Sequence, residues 1–472
     1  VLEPVYQADV VIVGAGIAGL AAAHRLTSAG VTAAVLEAAP CVGGRMATEK
    51  VDGFRLDRIG RLLSTSQPEL RPGTGLDPLV LRPFAPGVLV HSEGRRHRVA
   101  PPPAGGGAGG ARGALKAVRA LANAPRLNSA PRAGIGSAVA RTVRARAAGS
   151  RAAASRPTAP FGGAMDQART GAMLARIAAT PVERLLARPE SSAGRALADR
   201  GLPARTVDGF LRPLLSALLY DPELTTSSRC ADLALRAFAS GRLGMPEGGA
   251  DALPELLARA LPPGTVHTGV RATSVSTTSV TTADHGEFRC RAVLVATDAH
   301  AAAELLPGLR VPDFHPVTVV HHTMTDPPQT GASLLLDADR GGPVAHTAVV
   351  SLVDPSRAPA GRALVSSTVL GTPPEDVDGA VRAQLARMYG MPTTRWETLA
   401  VHHTAHAVPA MRPPHDPRRP VRLLAGLYVC GDHRDTSTVQ GALHSGHRAA
   451  AALLADLGAG PMHLAEPLPT AA

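Results

Sequence analysis

Three clusters of residues have the types and spacing for chemistry on a dinucleotide. Gly14, Gly16 and Gly19 stand in "VIVGAGIAGL" at G-x-G-x-x-G spacing. In that pattern one glycine allows a tight turn, the next lets the backbone approach a pyrophosphate, and the third lets a helix pack on its strand. Ala15, Ile17 and Ala18 lie between them and present backbone N–H groups at a helix start, where the dipole favours phosphate. Glu37, followed by Ala38, comes 18 residues after Gly19, where an acid takes the two hydroxyls of a ribose and argues against a 2′-phosphate. Gly43, Gly44 and Arg45 then supply a second close backbone approach and a charge-assisted donor. NAD and FAD share these features.

The elements that must position these groups follow from the pattern. Val10–Val13 is a short β-branched run suited to a buried parallel strand, Ile17–Ala29 reads as a helix stopped by Gly30, and Val31–Leu36 is a second strand. At the far end Leu427–Cys430 reads as a strand, Gly431 and Asp432 as a turn, and Gly441–Leu454 as an Ala-rich helix. "PGVLVHSEGRRHRV" looks like a hairpin, and Thr206 and Asp208 are placed to start a helix. Two short strands and "CRAVLVATDAH" precede residue 301. After it "VTVVHHTM", "ASLLLD", "VAHTAVVSLV", "RALVSSTVL" and "WETLAVHHTAHAVPAM" read as sheet, with one helix from Pro374 to Met388.

The dinucleotide turn, the "GGR" segment, the middle piece "MPEGGADALPELLARAL" and the terminus "GDHRDTSTVQGALHSG" together resemble the flavin-containing amine oxidoreductase superfamily. That superfamily includes monoamine oxidases, protoporphyrinogen oxidases and carotenoid desaturases. The resemblance implies FAD as the cofactor. It also implies an α/β class, two-domain FAD-dependent oxidoreductase fold with a discontinuous Rossmann-like FAD domain and an α+β substrate domain. The FAD domain would take residues 1–75, 226–300 and 413–457. The substrate domain would take 76–225 and 301–412, with a basic Ala/Arg-rich insert at about 101–180 and a tail at 458–472. It further implies that Glu37 binds the adenosine ribose, Arg45 lies by the pyrophosphate, and Val270 meets the adenine through its backbone. Gly431 and Asp432 would sit at the ribityl-phosphate end. Val439 and Gln440 would open a helix whose N-terminus faces the flavin ring.

Against that family, specific residues depart. Amine oxidases carry a lysine near flavin N5 and an aromatic cage; this chain has no lysine after Lys116, and Thr438 stands at the cage position. The reading is therefore an FAD-dependent oxidoreductase that removes hydride from a largely apolar small molecule. The electron acceptor is open between oxygen, a quinone and others. The alternatives are a redox-neutral flavin isomerase, an amine oxidase without the usual lysine, or a non-catalytic FAD-binding protein. His402 and His406 share one strand face by alternation and His403 takes the other; His433, Arg434 and Asp435 form a polar turn. None is assigned as a catalytic base, and no metal set is identified.

Composition limits the remaining possibilities. The chain has 472 residues, 45% hydrophobic but 3% aromatic, so its cores are aliphatic. The segment from Pro101 to Thr180 holds twelve basic residues and one acid, which accounts for the whole net charge of +11. Gly105–Gly110 reads as a loop there, and Ala114–Ala122 and Ile135–Ala148 as helices. Without interleaved aromatics the insert does not read as a nucleic-acid surface; peripheral contact with anionic lipid or an anionic substrate suits it better, with a merely solvated Arg-rich insert near the substrate domain as the equal alternative. Cys41, Cys230, Cys290 and Cys430 are scattered without C-x-x-C and read as buried free thiols. No secretory or membrane-spanning pattern is found, so the expected location is cytoplasmic, with membrane contact at most peripheral.

Overall fold

Val10–Val13 is buried along its whole length, as a β-branched run between two strands should be. A computed structural model, which describes residues 6–70, 76–101 and 161–458, places it in a six-stranded sheet. The order is Val266–Thr268, Ala33–Glu37, Val10–Val13, Ala292–Val295, Leu427–Val429 and Arg422–Leu424. The first five strands run parallel and the last antiparallel. Three distant stretches of chain thus build one sheet around the glycine turn.

Helix Ile17–Ser28 connects the first two strands of the chain in this sheet, capped by Ala29 and ended by Gly30 at φ +81°. Helix Val439–Leu457 crosses it and is longer than its apolar run predicts, because Thr438 caps its start and Gly458, at φ +71°, caps its end. The two helices touch through small residues. A Cβ built on Gly446 would lie 2.2 Å from the Ala18 carbonyl oxygen, and one on Gly19 would lie 2.1 Å from that of Gly14. Aliphatic side chains such as Leu20, Leu26, Leu253, Leu443 and Leu453 fill the space around them.

The second large sheet has seven strands. Their order is Glu397–Pro409, Phe314–Met324, Ala363–Leu370, Val344–Val349, Leu335–Asp337, Val88–Ser92 and Arg95–Val99. The last two form the hairpin expected from sequence; Glu93 and Gly94 turn it with positive φ of 50° and 70°, the geometry of a tight two-residue connection. Helices Ala164–Ala179, Arg212–Leu219 and Ser228–Ser240 share an apolar core with this sheet.

Two expectations are corrected. The stretch before residue 301 carries more strands than expected: Ala272–Val275, Ser279–Thr282 and Glu287–Arg289 build a small separate sheet with Tyr6–Gln7. Its threonines are β-branched and so favour strand without being apolar. The helix expected to begin at Thr206 or Asp208 already starts at Ala204, and a π-helical turn, Val207–Leu211, leads into Arg212–Leu219. Among the described residues no helix is long and apolar enough to cross a membrane. The loop and helices expected within Gly105–Ala148, and the tail beyond Gly458, lie outside the described residues.

Candidate active site

The glycine turn is held by its neighbours. Gly14 takes φ +107° and donates its N–H to the Leu36 carbonyl at 2.7 Å; a Cβ there would lie 2.9 Å from the Ala296 carbonyl oxygen. Gly43 donates to the Ala15 carbonyl at 2.9 Å, which brings the second glycine pair against the first, and Gly44 turns at φ +57°. Above Gly16 the space is open, since a Cβ there meets no protein atom within 4 Å. Ala15 lies just before the helix, and Ile17 and Ala18 form its first turn beside that opening. The Glu37 carboxylate accepts from the Ala15 N–H at 2.7 Å and the Ala39 N–H at 2.9 Å, which fixes its direction, while Ala38 beside it is exposed. The Val270 N–H is engaged by the Glu37 carbonyl at 2.8 Å, so that donor of the residue expected beside an adenine is taken.

Two arginines converge on one carbonyl from a distant part of the chain. Arg45 Nη1 donates to the Ala407 oxygen at 2.9 Å, and Arg61 Nη2 donates to the same oxygen at 3.1 Å. Arg45 also pairs with Asp432 at 2.6 Å. Burial alone would raise the Asp432 pKa, but the charge and hydrogen bond of Arg45, with Arg61 and His433 nearby, hold it below the ordinary carboxylate value. Arg61 donates to the Ser437 carbonyl at 3.2 Å and lies 4.9 Å from the centre of the Tyr220 ring. Tyr220, held at φ +59°, donates its hydroxyl to the Gly60 carbonyl at 2.5 Å. Gly431, at φ +143°, donates to Ser445 Oγ at 3.1 Å. Thr438 accepts from the Gly441 N–H at 2.9 Å, Val439 is buried, and Gln440 lies beside Glu69.

These residues fit a flavin dinucleotide. The space over Gly16 is a cradle that a side chain would fill. Around the Gly431–Thr438 turn, both ring nitrogens of the buried His433 and the hydroxyl of the buried Ser437 have no partner among the described residues. A polar ligand would satisfy them. Arg45 and the start of helix Ile17–Ser28 offer the donors a pyrophosphate requires.

Beside Arg61 lies a small cavity of about 30 Å³, bounded by Asp57 and Gly60–Leu62 on one side and by the seven-stranded sheet on another. Leu62, Phe84, Met245, Val319, Leu334 and Ala348 give it apolar walls. His321 bridges the Ser366 hydroxyl at 2.9 Å and the Asp57 carbonyl at 3.1 Å. His346 also lines the cavity, and its Nδ1 has no partner among the described residues. The buried Arg357 pairs with Asp57 at 2.7 Å and Asp354 at 3.1 Å.

Burial pushes His321, His346 and His433 each down to about 4. A histidine held below its unfolded value near 6.5 stays neutral in the fold while the unfolded chain takes up a proton. Its contribution is complete above about pH 6.5 and is lost as pH falls toward 4, at roughly 1 kcal/mol per pH unit for each. The urea midpoint should therefore drop clearly between pH 7 and pH 5. A flat profile would show that these rings are protonated or solvated in the fold.

Sequence reading missed Arg61, Tyr220, His321 and His346, although the arginine directly after Gly60 in "DRIGRLL" was a visible signal. The strand histidines separate. His402 bonds Glu49 at 2.7 Å, His403 bonds Thr318 at 2.8 Å, and His406 is exposed and stacks on His300 at 4.2 Å. A register shift opposite His315–Val317 breaks the alternation expected to align His402 with His406. Asp435 binds His444 and Arg448 and so holds the turn. Cys41 is exposed and Cys290 only half-buried, against the expectation of buried thiols, because Cys41 sits in the turn after a strand. His91, Asp337 and Asp339 bring ligand atoms within 4.8 Å of one another, but Gly341 N, Gln384 Nε2 and Ser92 Oγ already bond the two carboxylates.

The family model for flavin containing amine oxidoreductases matches residues 17–454. The chain belongs to that family. FAD is its cofactor, and the family's members are flavin-dependent oxidoreductases. Putrescine oxidase of Kocuria rosea is 52% identical over 68 residues, 14% of this chain and 14% of that protein. Protoporphyrinogen oxidase 2 of Arabidopsis thaliana is 38% identical over 81 residues, 17% of this chain and 16% of that protein. The matches thus span only about a seventh of either relative. An oxidoreductase from Methanosarcina mazei shares the fold, with a TM-score of 0.65 and 16% identity over 94% of this chain and 99% of the other.

Proposed function

We propose that the protein removes hydride from a largely apolar small molecule. The observation that carries this reading is the charge balance of the cavity beside Arg61. Asp57, the one carboxylate among its lining residues, is paired with Arg357, which also pairs with Asp354, and His321 and His346 are neutral, so no free carboxylate faces the cavity. Such a wall offers a protonated amine no counter-charge and leaves apolar contact to hold the substrate. The cavity admits one end of a molecule, so the reacting carbon would be presented by an edge of a larger apolar body.

FAD, when bound, accepts the hydride. For its binding we assign Gly14, Ala15, Gly16, Ile17, Ala18 and Gly19 to the pyrophosphate, with Gly43, Gly44 and Arg45. We assign Glu37 and Ala38 to the ribose, the backbone of Val270 to the adenine, Gly431 and Asp432 to the ribityl end, and Val439 and Gln440 to the flavin ring. Residues 1–75, 226–300 and 413–457 would form the FAD domain, and 76–225 with 301–412 the substrate domain. Arg61 acts from between the two sites: tied to the Ala407 and Ser437 carbonyls, it fixes the wall that faces the substrate. Leu62, Phe84 and Leu334 exclude water there. Positioning of this kind can supply much of a rate.

Anaerobic bleaching of the flavin tests the proposal. A panel of polyenes and porphyrinogens should contain a compound that bleaches it stoichiometrically, while benzylamine and putrescine should not. Amine-driven bleaching on the order of 1 s⁻¹ or faster, the range of ordinary enzymes, would return the protein to amine oxidation. Failure of the whole panel to bleach would favour the redox-neutral or non-catalytic reading.

A further inference from the structure

Away from the flavin elements, the helical layer lines a second and larger cavity of about 400 Å³ that is half open to solvent, within the size range of small-molecule sites. It shares no lining residue with the cavity beside Arg61. Helix Ala164–Ala179 buries Thr170, Leu174 and Ile177 in the core. The adjoining stripe, Arg169, Ala172, Met173 and Arg176, faces the cavity; the spacing i, i+3, i+4, i+7 puts these on one helix face.

The charge here is one-sided. Arg188 and Arg200 complete the wall and share a single buried carboxylate, Asp232, with Arg188 at 2.7 Å. Arg200 also donates to the Met173 sulfur at 3.7 Å, which draws the guanidinium over the cavity's apolar side. Arg169 and Arg176 have no carboxylate within ion-pair distance among the described residues, although Arg188, Arg200, Arg205, Arg212 and Arg229 on the neighbouring helices and turns are matched. Four guanidiniums against one carboxylate leave the site strongly positive, while Met173, Ile177 and Leu202 make its floor apolar. Guanidinium forks recognise planar or tetrahedral oxyanions, and the floor favours a hydrocarbon body beside them.

We propose that this cavity is a binding site for an anionic amphiphile, a carboxylate or phosphate head on an aliphatic body, separate from the flavin site. The head would sit between Arg169 and Arg176, the two guanidiniums that lack a carboxylate, and the body would lie along Met173 and Leu202. This assignment does not depend on which substrate the flavin oxidises.

Calorimetric titration of the flavin-loaded protein tests it, with decanoate as the probe, decanol as the apolar control and inorganic phosphate as the anionic control. Decanoate should bind saturably with one site per chain and at least tenfold more tightly than either control. The double substitution Arg169→Ala with Arg176→Ala should weaken decanoate at least tenfold while flavin content and the flavin spectrum stay unchanged. Both arginines are exposed, so the variant should fold, and an unchanged thermal midpoint checks this. Equal binding of decanoate by wild type and variant would overturn the proposal, as would decanol binding as tightly as decanoate.

Discussion

Replacing Gly446 by alanine is expected to cost the protein its flavin. The added Cβ would lie 2.2 Å from the Ala18 carbonyl oxygen and 3.2 Å from the Ala18 Cα. Because the obstacle is backbone, no side chain can rotate out of the way, and helix Val439–Leu457 must move off helix Ile17–Ser28. Overpacking of a well-filled core costs about 1–3 kcal/mol, occasionally more, and contact with rigid backbone belongs at the upper end. The displacement falls on the two helices whose starts flank the open space over Gly16 and the Gly431–Thr438 turn. Flavin occupancy should fall below half and the thermal midpoint should drop by several degrees. Ala455→Leu, at an exposed position on the same helix, should leave both unchanged. A Gly446→Ala protein with normal flavin content would mean that the two helices do not meet through that glycine.

Arg45→Met should have a comparable effect by a different route. Asp432 is nearly buried, and Arg45 is its direct ion-pair partner. Removing one member of a buried pair costs about 3–5 kcal/mol, because the other charge is left uncompensated. Arg61 cannot replace it, since its guanidinium is committed to the Ala407 and Ser437 carbonyls. The flavin would lose a charge-assisted donor as well, so its dissociation constant should rise roughly 100-fold or more, as about 3 kcal/mol implies. Arg45→Lys restores the charge but not the two-armed geometry that joins Asp432 to Ala407, so it should recover only part of the affinity. Full affinity in Arg45→Met would remove Arg45 from the site.

Local signals were legible in the sequence because their physics is local. The turn from Val10 to Gly19 and the Glu93–Gly94 hairpin each depend on residues a few positions apart, and each forms where expected. What sequence could not give was convergence. Arg61 and Arg45 meet at the carbonyl of Ala407, more than 340 residues away along the chain. Main-chain oxygens carry no compositional signal. His346 looks like any strand histidine until the chain brings it to a cavity with no partner for its Nδ1. The alternation expected of His402 and His406 failed because the pairing is irregular between Thr404 and Val408, and His406 lies within that stretch. Thr438, singled out in sequence for lacking an aromatic ring, proves to cap the closing helix.

The flavin is expected to be held by the glycine turns and by Arg45 with Asp432, and not by a covalent bond, since no cysteine stands in the strand segment 395–412. Acid precipitation of the purified protein measures this directly. One FAD per chain should pass wholly into the supernatant, leaving a colourless pellet. Yellow colour retained on the pellet, or a colourless protein that takes up no added FAD, would contradict it.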